Sequence, residues 1–207
     1  MHSTSMAAEQ TKERRENYHH GDLKGALLRA TRQLIEDKGR DQFSVTDACR
    51  VAGVSTAAPY KHFKNKEEMV QGAVLDAMHR HYTGLQEDLR AHEKGTKGRI
   101  VAMGLNYIGF ALREPEMFKL RFSPNETEDP PALKESGNTI YSLVKEEVRA
   151  ALGEPEVNAK VEERSYMLWC FVHGLSYISL MPDLQDKRPA ASVEKLLEDL
   201  ADRVLVD

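Results

Sequence analysis

Between Ser44 and Lys66 the chain sets out four small hydroxyl side chains (Ser44, Thr46, Ser55, Thr56), a phenol (Tyr60), an imidazole (His62) and two ammonium groups (Lys61, Lys66). These groups donate and accept hydrogen bonds; they do not form a nucleophile with a base and an orienting acid. Thr56 and Ala57 are short enough to approach a base edge or a thymine methyl. Lys61, Lys66 and the Tyr60 hydroxyl suit phosphate oxygens, as do the free N–H groups at a helix start. Arg14 and Arg15 stand on a polar N-terminal arm, from which a guanidinium can enter an adjacent minor groove. The implied chemistry is recognition of double-stranded DNA without a covalent step.

A second set is apolar and aromatic. Met103, Tyr107 and Phe110 recur at helical spacing, and Trp169 with His173 recurs in the same way farther on. Such a set either packs a core or lines a pocket for an apolar or aromatic small molecule. For His173 both readings stand, a core imidazole with one hydrogen bond or a sensing group. His79 and His81 are two apart on a helix, so they face apart and make poor co-ligands, and His19–His20 reads as structural. Glu146–Glu147 and Glu162–Glu163 read as solvated helix faces. The sequence has no G-x-S-x-G, no phosphate-cradling glycine loop and no H-E-x-x-H. No catalytic residue, metal or cofactor is therefore expected.

Presenting the first set requires two short helices around a tight turn. Ser44 followed by Asp47 is a capping box, and Val45, Ala48, Cys49 and Ala52 form the apolar face of the helix it opens. Gly53 breaks that helix, Val54 fills the turn, and small residues let the two helices cross closely. Ser55 or Thr56 caps a third helix that runs to about Phe63, and Pro59 favours Thr56. With Thr56 as N-cap, Pro59 falls at the third helical position, where its missing N–H costs little. Upstream, Asp22 and Gly39 bracket a helix with Leu23, Leu27, Ala30 and Leu34 on one face. Downstream, a long helix is expected from Lys66 to roughly Leu89, with Asn65 and Glu68 at its start. Five more follow, near 100–111, from Pro115, and near 133–151, 155–181 and 189–205, with the acidic, proline-containing loop 123–131 among them. The fold class is all-α, about nine helices in total: a three-helix head followed by a larger helical domain. The domain plan is a flexible arm (1–17), a helix-turn-helix domain (18–66) and a ligand-binding and dimerisation domain (67–207).

Composition agrees. The net charge of −4 hides an asymmetry, because residues 1–70 hold 12 Lys and Arg against 10 Asp and Glu, whereas the remainder holds 17 against 23. A mildly basic head on an acidic body suits contact with phosphate at one end. Two cysteines far apart, Cys49 and Cys170, read as buried thiols in a reducing cytoplasm. No apolar run approaches the ~20 residues of a membrane span, and the N-terminus lacks the apolar core of a secretory signal.

The helix at 165–180 is apolar on two faces. Tyr166, Trp169, His173, Ser176, Tyr177 and Leu180 gather on one side, and Met167, Phe171, Gly174, Leu175 and Ile178 on the other. One face meets its own domain and the other a second subunit; the alternative is burial of both within one chain.

The run from Tyr18 to Met69 resembles the DNA-binding domain of the tetracycline-repressor (TetR) family. It is carried by Ser44, by Ala52–Gly53–Val54–Ser55, by Tyr60–Lys61–His62–Phe63 and by Lys66. Pro59 departs from the pattern, since many members have Leu there, and Ala48 stands where a larger aliphatic is common. Trp169, His173 and Gly174 form W-x-x-x-H-G, which resembles a subgroup called the WHG domain. The resemblance implies a homodimer on a pseudo-palindromic operator, with the last two helices pairing in a four-helix interface. It also implies a repressor released by a small-molecule inducer; the alternative is a ligand-independent regulator or activator. A helical enzyme with an incidental helix-turn-helix is left without catalytic residues.

Overall fold

The computed structural model describes residues 22–122, 128–187 and 190–206. Among them it has eight α-helices and no strand, in the order α1 (Leu23–Lys38), α2 (Val45–Ala52), α3 (Lys66–Arg90), α4 (Lys97–Arg113), α5 (Pro115–Phe122), α6 (Pro131–Ala151), α7 (Ala159–Leu180) and α8 (Val193–Val204). Two 3₁₀ segments, Pro59–Lys61 and Pro182–Lys187, lie between helices. The chain divides into two compact units, one ending at Val74 and one starting at Leu75. Helix α3 begins in the first and ends in the second.

The first unit is built on local caps. The Asp22 carboxylate accepts from the Gly25 amide at 3.1 Å, and at the other end of α1 Gly39 donates its N–H to the Ile35 carbonyl at φ +86°. Ser44 and Asp47 complete the capping box of α2 in both directions. Gly53 ends α2 in the left-handed conformation at φ +69°, which favours glycine. Asn65 accepts from the Glu68 amide at 2.9 Å while Glu68 accepts from Lys64 N, which fixes the start of α3. Leu27, Ile35, Phe43, Ala48, Cys49 and Phe63 fill the core. Gly72 of α3 is seated against it: a Cβ there would stand 2.9 Å from Leu28 and 3.3 Å from Phe63.

The helix expected from Thr56 to Phe63 is corrected to a 3₁₀ turn, Pro59–Lys61, which Ala58 precedes without any side-chain cap. Proline lacks an N–H and fixes its own φ, so it is best placed as the first residue of a helical turn. The turn therefore starts at Pro59, and among the described residues eight α-helices stand where about nine helices were expected for the chain.

In the second unit α4 is the central helix. Ile100, Val101, Met103, Ile108, Phe110 and Ala111 are all buried, and α5, α6, α7 and α8 pack around it. Gly104 lets α8 approach, since a Cβ there would lie 2.8 Å from Leu197 Cδ2. Arg99 ties three helices together. Its guanidinium meets both carboxylate oxygens of Glu147 on α6 (2.6 and 3.0 Å) and donates to the Leu89 carbonyl at the end of α3. Glu147 is thus corrected from a solvated residue to one only 3% exposed. Cys170 is corrected in the other direction: Cys49 is buried, but Cys170 is exposed.

Candidate DNA-binding surface and buried cavity

In the first unit the expected contact residues gather on exposed backbone. Thr46, Ser55, Thr56, Ala57, Lys61 and His62 are exposed, and Tyr60 is 64% exposed although it is a large aromatic. Exposure of an aromatic beside a buried proline is what a contact surface needs, because the core is already filled by Pro59 and Phe63. Ser44 is exposed too, but its hydroxyl is engaged in the cap and holds Asp47 below the usual carboxylate value through hydrogen bonding. Lys66 is half-buried, its ammonium 4.3 Å from the centre of the Phe43 ring. Arg14 and Arg15 lie outside the described residues.

In the second unit lies a cavity of about 410 Å³, a volume typical of small-molecule sites. Its wall is mostly apolar and comes from α3 through α8. Met103, Tyr107, Phe110 and Trp169 all line it. His173 does not; it stands behind Tyr107, whose hydroxyl lies 2.8 Å from His173 Nδ1 and accepts from Trp169 Nε1 at 3.4 Å. Burial pushes the Tyr107 phenol far up, with the Trp169 bond pulling the other way, so it stays protonated where it meets His173. Desolvation lowers His173 in turn. Phe118, Phe122 and Tyr177 pack around the His173 ring.

Sequence reasoning missed several lining residues. His81 was set aside as a poor metal ligand, yet it is 5% exposed, lines the cavity and stacks on Phe110 at 4.8 Å. Neither of its ring nitrogens has a hydrogen-bond partner of normal geometry. Burial, helped by the Arg113 charge, lowers its pKa to about 4, against a small upward pull from Asn106. Arg121, Lys134, Asn138 and Tyr141 also line the cavity. Asn138 and Tyr141 share one face of α6 at i and i+3, a spacing readable in sequence once the cavity side is known.

Sequence models of two families match the chain. One, described as "Bacterial regulatory proteins, tetR family", covers residues 27–73, and one described as "Tetracyclin repressor-like, C-terminal domain" covers residues 100–204. The chain belongs to the TetR family. It is thus a transcriptional regulator of the DNA-binding type, and the helix-turn-helix reading of its head stands. Solved structures share the fold. A protein of unknown function from Rhodococcus sp. RHA1 has a TM-score of 0.73 at 23% identity, covering 91% of this chain and 96% of that one. A TetR/AcrR-family regulator from Thermobifida fusca YX-ER1 has 0.65 at 14% identity, covering 89% and 97%. The regulator FadR from Bacillus subtilis, in complex with stearoyl-CoA, has 0.68 at 14% identity, covering 87% and 96%. No curated protein matches.

Within this TetR-family chain α7 divides its faces as follows. Ser165, Leu168, Val172, Ser176 and Ser179 are buried in the unit. Tyr166, on the same side of the helix as Trp169 and His173 by periodicity, is exposed. On the opposite face Met167 and Ile178 are 42% and 41% exposed, and Phe171, Gly174 and Leu175 are half-buried. A Cβ at Gly174 would meet nothing within 4 Å, so that face is open to a close neighbour. Among the described residues no group of His, Cys, Asp or Glu could hold a metal, and no helix is long and apolar enough to cross a membrane.

Proposed function

We propose that this TetR-family chain is a cytoplasmic repressor. As a homodimer it holds a pseudo-palindromic operator through Thr46, Ser55, Thr56, Ala57, Tyr60, Lys61, His62 and Lys66, and a small molecule entering the cavity releases it. Residues 18–66 carry the DNA contact, with Arg14 and Arg15 reaching the minor groove and Ser44 fixing the first contact helix. Residues 67–207 carry ligand binding and pairing, with Met167, Phe171, Gly174, Leu175 and Ile178 at the subunit interface. Met103, Tyr107, Phe110 and Trp169 contact the ligand, and His173 positions Tyr107.

The observation that carries this reading is the double attachment of α3. The helix contributes Gly72 to the packing of the head and Met78 and His81 to the cavity wall. A ligand that moves α3 changes the separation of two recognition turns, which must match successive major grooves about 34 Å apart. A mismatch of a few ångströms forfeits phosphate and base contacts together. The stearoyl-CoA complex of the B. subtilis relative is a precedent for a ligand within this fold. Linkage makes the effect reciprocal, so operator must weaken ligand binding by the same factor.

The test is binding of the purified protein to DNA flanking its own gene across a salt series, with and without candidate inducers. Sequence-specific binding by a dimer, weakened by Tyr60→Ala and by an inducer, is the expected result. Specific binding that no cavity ligand alters would point to a ligand-independent regulator. Equal binding to random DNA would refute the operator.

A further inference from the structure

We propose that the cavity takes an organic acid: an apolar body buried among the aliphatic and aromatic walls, with an anionic head seated on the Arg121 guanidinium. This rests on the reading of the cavity as the ligand site and names the class of ligand.

The argument starts from charge. Among the described lining residues only Arg121 and Lys134 carry a formal charge at neutral pH, and both are cations. His81, the remaining basic group on the wall, is held neutral by burial. The acidic partners, Asp129 for Arg121 (2.9 Å) and Glu128 for Lys134 (2.6 Å), are not lining residues. The wall therefore has its cationic groups at one place, where the end of α5 meets the start of α6, with their carboxylate partners off the lining, and apolar surface elsewhere. Donors and no acidic acceptor at that place favour an anionic head over a cationic one.

Arg121 is also incompletely used. Its side chain is largely buried, Nη1 donates to Asp129, and Nε is buried without an acceptor. A donor without an acceptor shows that the side chain's pairing is not completed within the described chain. A guanidinium has more than one edge that can meet a carboxylate in a bidentate fork, and Asp129 occupies only Nη1. Arg121 and Tyr107 line the same cavity, and Arg121 lowers the phenol slightly against the burial that raises it. The opposite wall makes room for this head group. A Cβ at Gly137 on α6 would stand 2.8 Å from Arg121 Nη2, so glycine there lets the guanidinium lie against the helix.

The chain has a single tryptophan, Trp169, and it lines the cavity, so its fluorescence reports occupancy. Dodecanoate, dodecanol and dodecylamine share one body and differ in the head. Each is titrated into the full chain below its micellar concentration at pH 7.5. The expected order is dodecanoate tightest, roughly tenfold or more ahead of dodecanol, with dodecylamine weakest. Arg121→Met should bring the acid down to the alcohol. Gly137→Ala retains every charge and improves helix propensity, so it keeps the fold, yet it should weaken the acid several-fold by displacing the guanidinium and leave the alcohol unchanged. Thermal unfolding of both variants checks that the cavity persists. Equal affinity for acid and alcohol overturns the anionic head, and an acid preference that survives Arg121→Met overturns its seat on Arg121; either result leaves the cavity as an inducer site. Absence of binding by all three overturns both.

Discussion

Tyr107 on α4 and His173 on α7 are joined by a hydrogen bond of 2.8 Å between the phenol oxygen and imidazole Nδ1. The same phenol oxygen accepts from Trp169 Nε1, so one hydroxyl satisfies two polar groups among apolar rings. Tyr107→Phe removes it and leaves two groups unpaired in a desolvated place. Unfolding in denaturant should show a loss of about 1–3 kcal/mol. An unchanged midpoint would mean that water serves both groups equally well.

Acid should destabilise the fold through His81. Its pKa is lowered from the ordinary 6.5 to about 4, so between those values the unfolded chain binds more protons than the folded one. Stability is then complete above about pH 6.5 and falls as the pH drops toward 4, by an amount on the order of 3 kcal/mol. His173 adds in the same direction, its pKa being lowered by desolvation. Replacing His81 by Leu should flatten the pH dependence of the unfolding free energy over that window. A slope that persists unchanged would assign the effect to other groups.

Gly104 sets the distance between α4 and α8. A methyl group there meets Leu197 Cδ2 at 2.8 Å, tighter than real contacts allow, although that side chain can turn. Gly104→Val should cost about 1–3 kcal/mol through overpacking. Leu197→Ala in the same chain should return part of that loss, read as a favourable coupling in a double-mutant cycle. Strict additivity would show that the two residues do not touch.

On the DNA side two substitutions should separate two kinds of contact. Lys61 is exposed and within a turn of Tyr60, so Lys61→Ala should weaken binding to all sequences alike and reduce the salt slope by about 1. Tyr60→Ala removes a side chain that buries little in the unit, so the melting temperature should hold while operator affinity drops. A fall in both would place Tyr60 in the core.

The open face of α7 predicts a second subunit. Met167→Glu and Ile178→Glu put charge on residues that are 42% and 41% exposed in a single chain, so the protomer should tolerate both. Sedimentation should show the dimer replaced by folded monomer. Dimers that survive the double substitution would move the interface elsewhere.

What the sequence alone settled is what adjacent residues settle among themselves. Asp22, Ser44 with Asp47, and Asn65 with Glu68 were readable as helix starts because each bond spans three residues. Gly39 and Gly53 were readable as stops because positive φ is a property of one residue. The same local rules made Ser55 and Thr56 both plausible caps for the recognition segment. Neither caps it: the turn starts at Pro59, whose φ is preset, with Pro59 and Phe63 buried. Helical periodicity also showed that α7 has two apolar faces. It could not show which one is covered, and Cys170, read as a buried thiol, is exposed. Glu147 read as a solvated residue, and His81 only as a poor metal ligand, for the same reason. Burial depends on helices tens of residues away, as with Arg99 and Glu147, forty-eight positions apart. A sequence window holds the repeat of a helix and the chemistry of its caps. Which face meets neighbours, which imidazole loses its water and where a cavity remains are decided only when distant helices pack, because desolvation is a property of the surroundings.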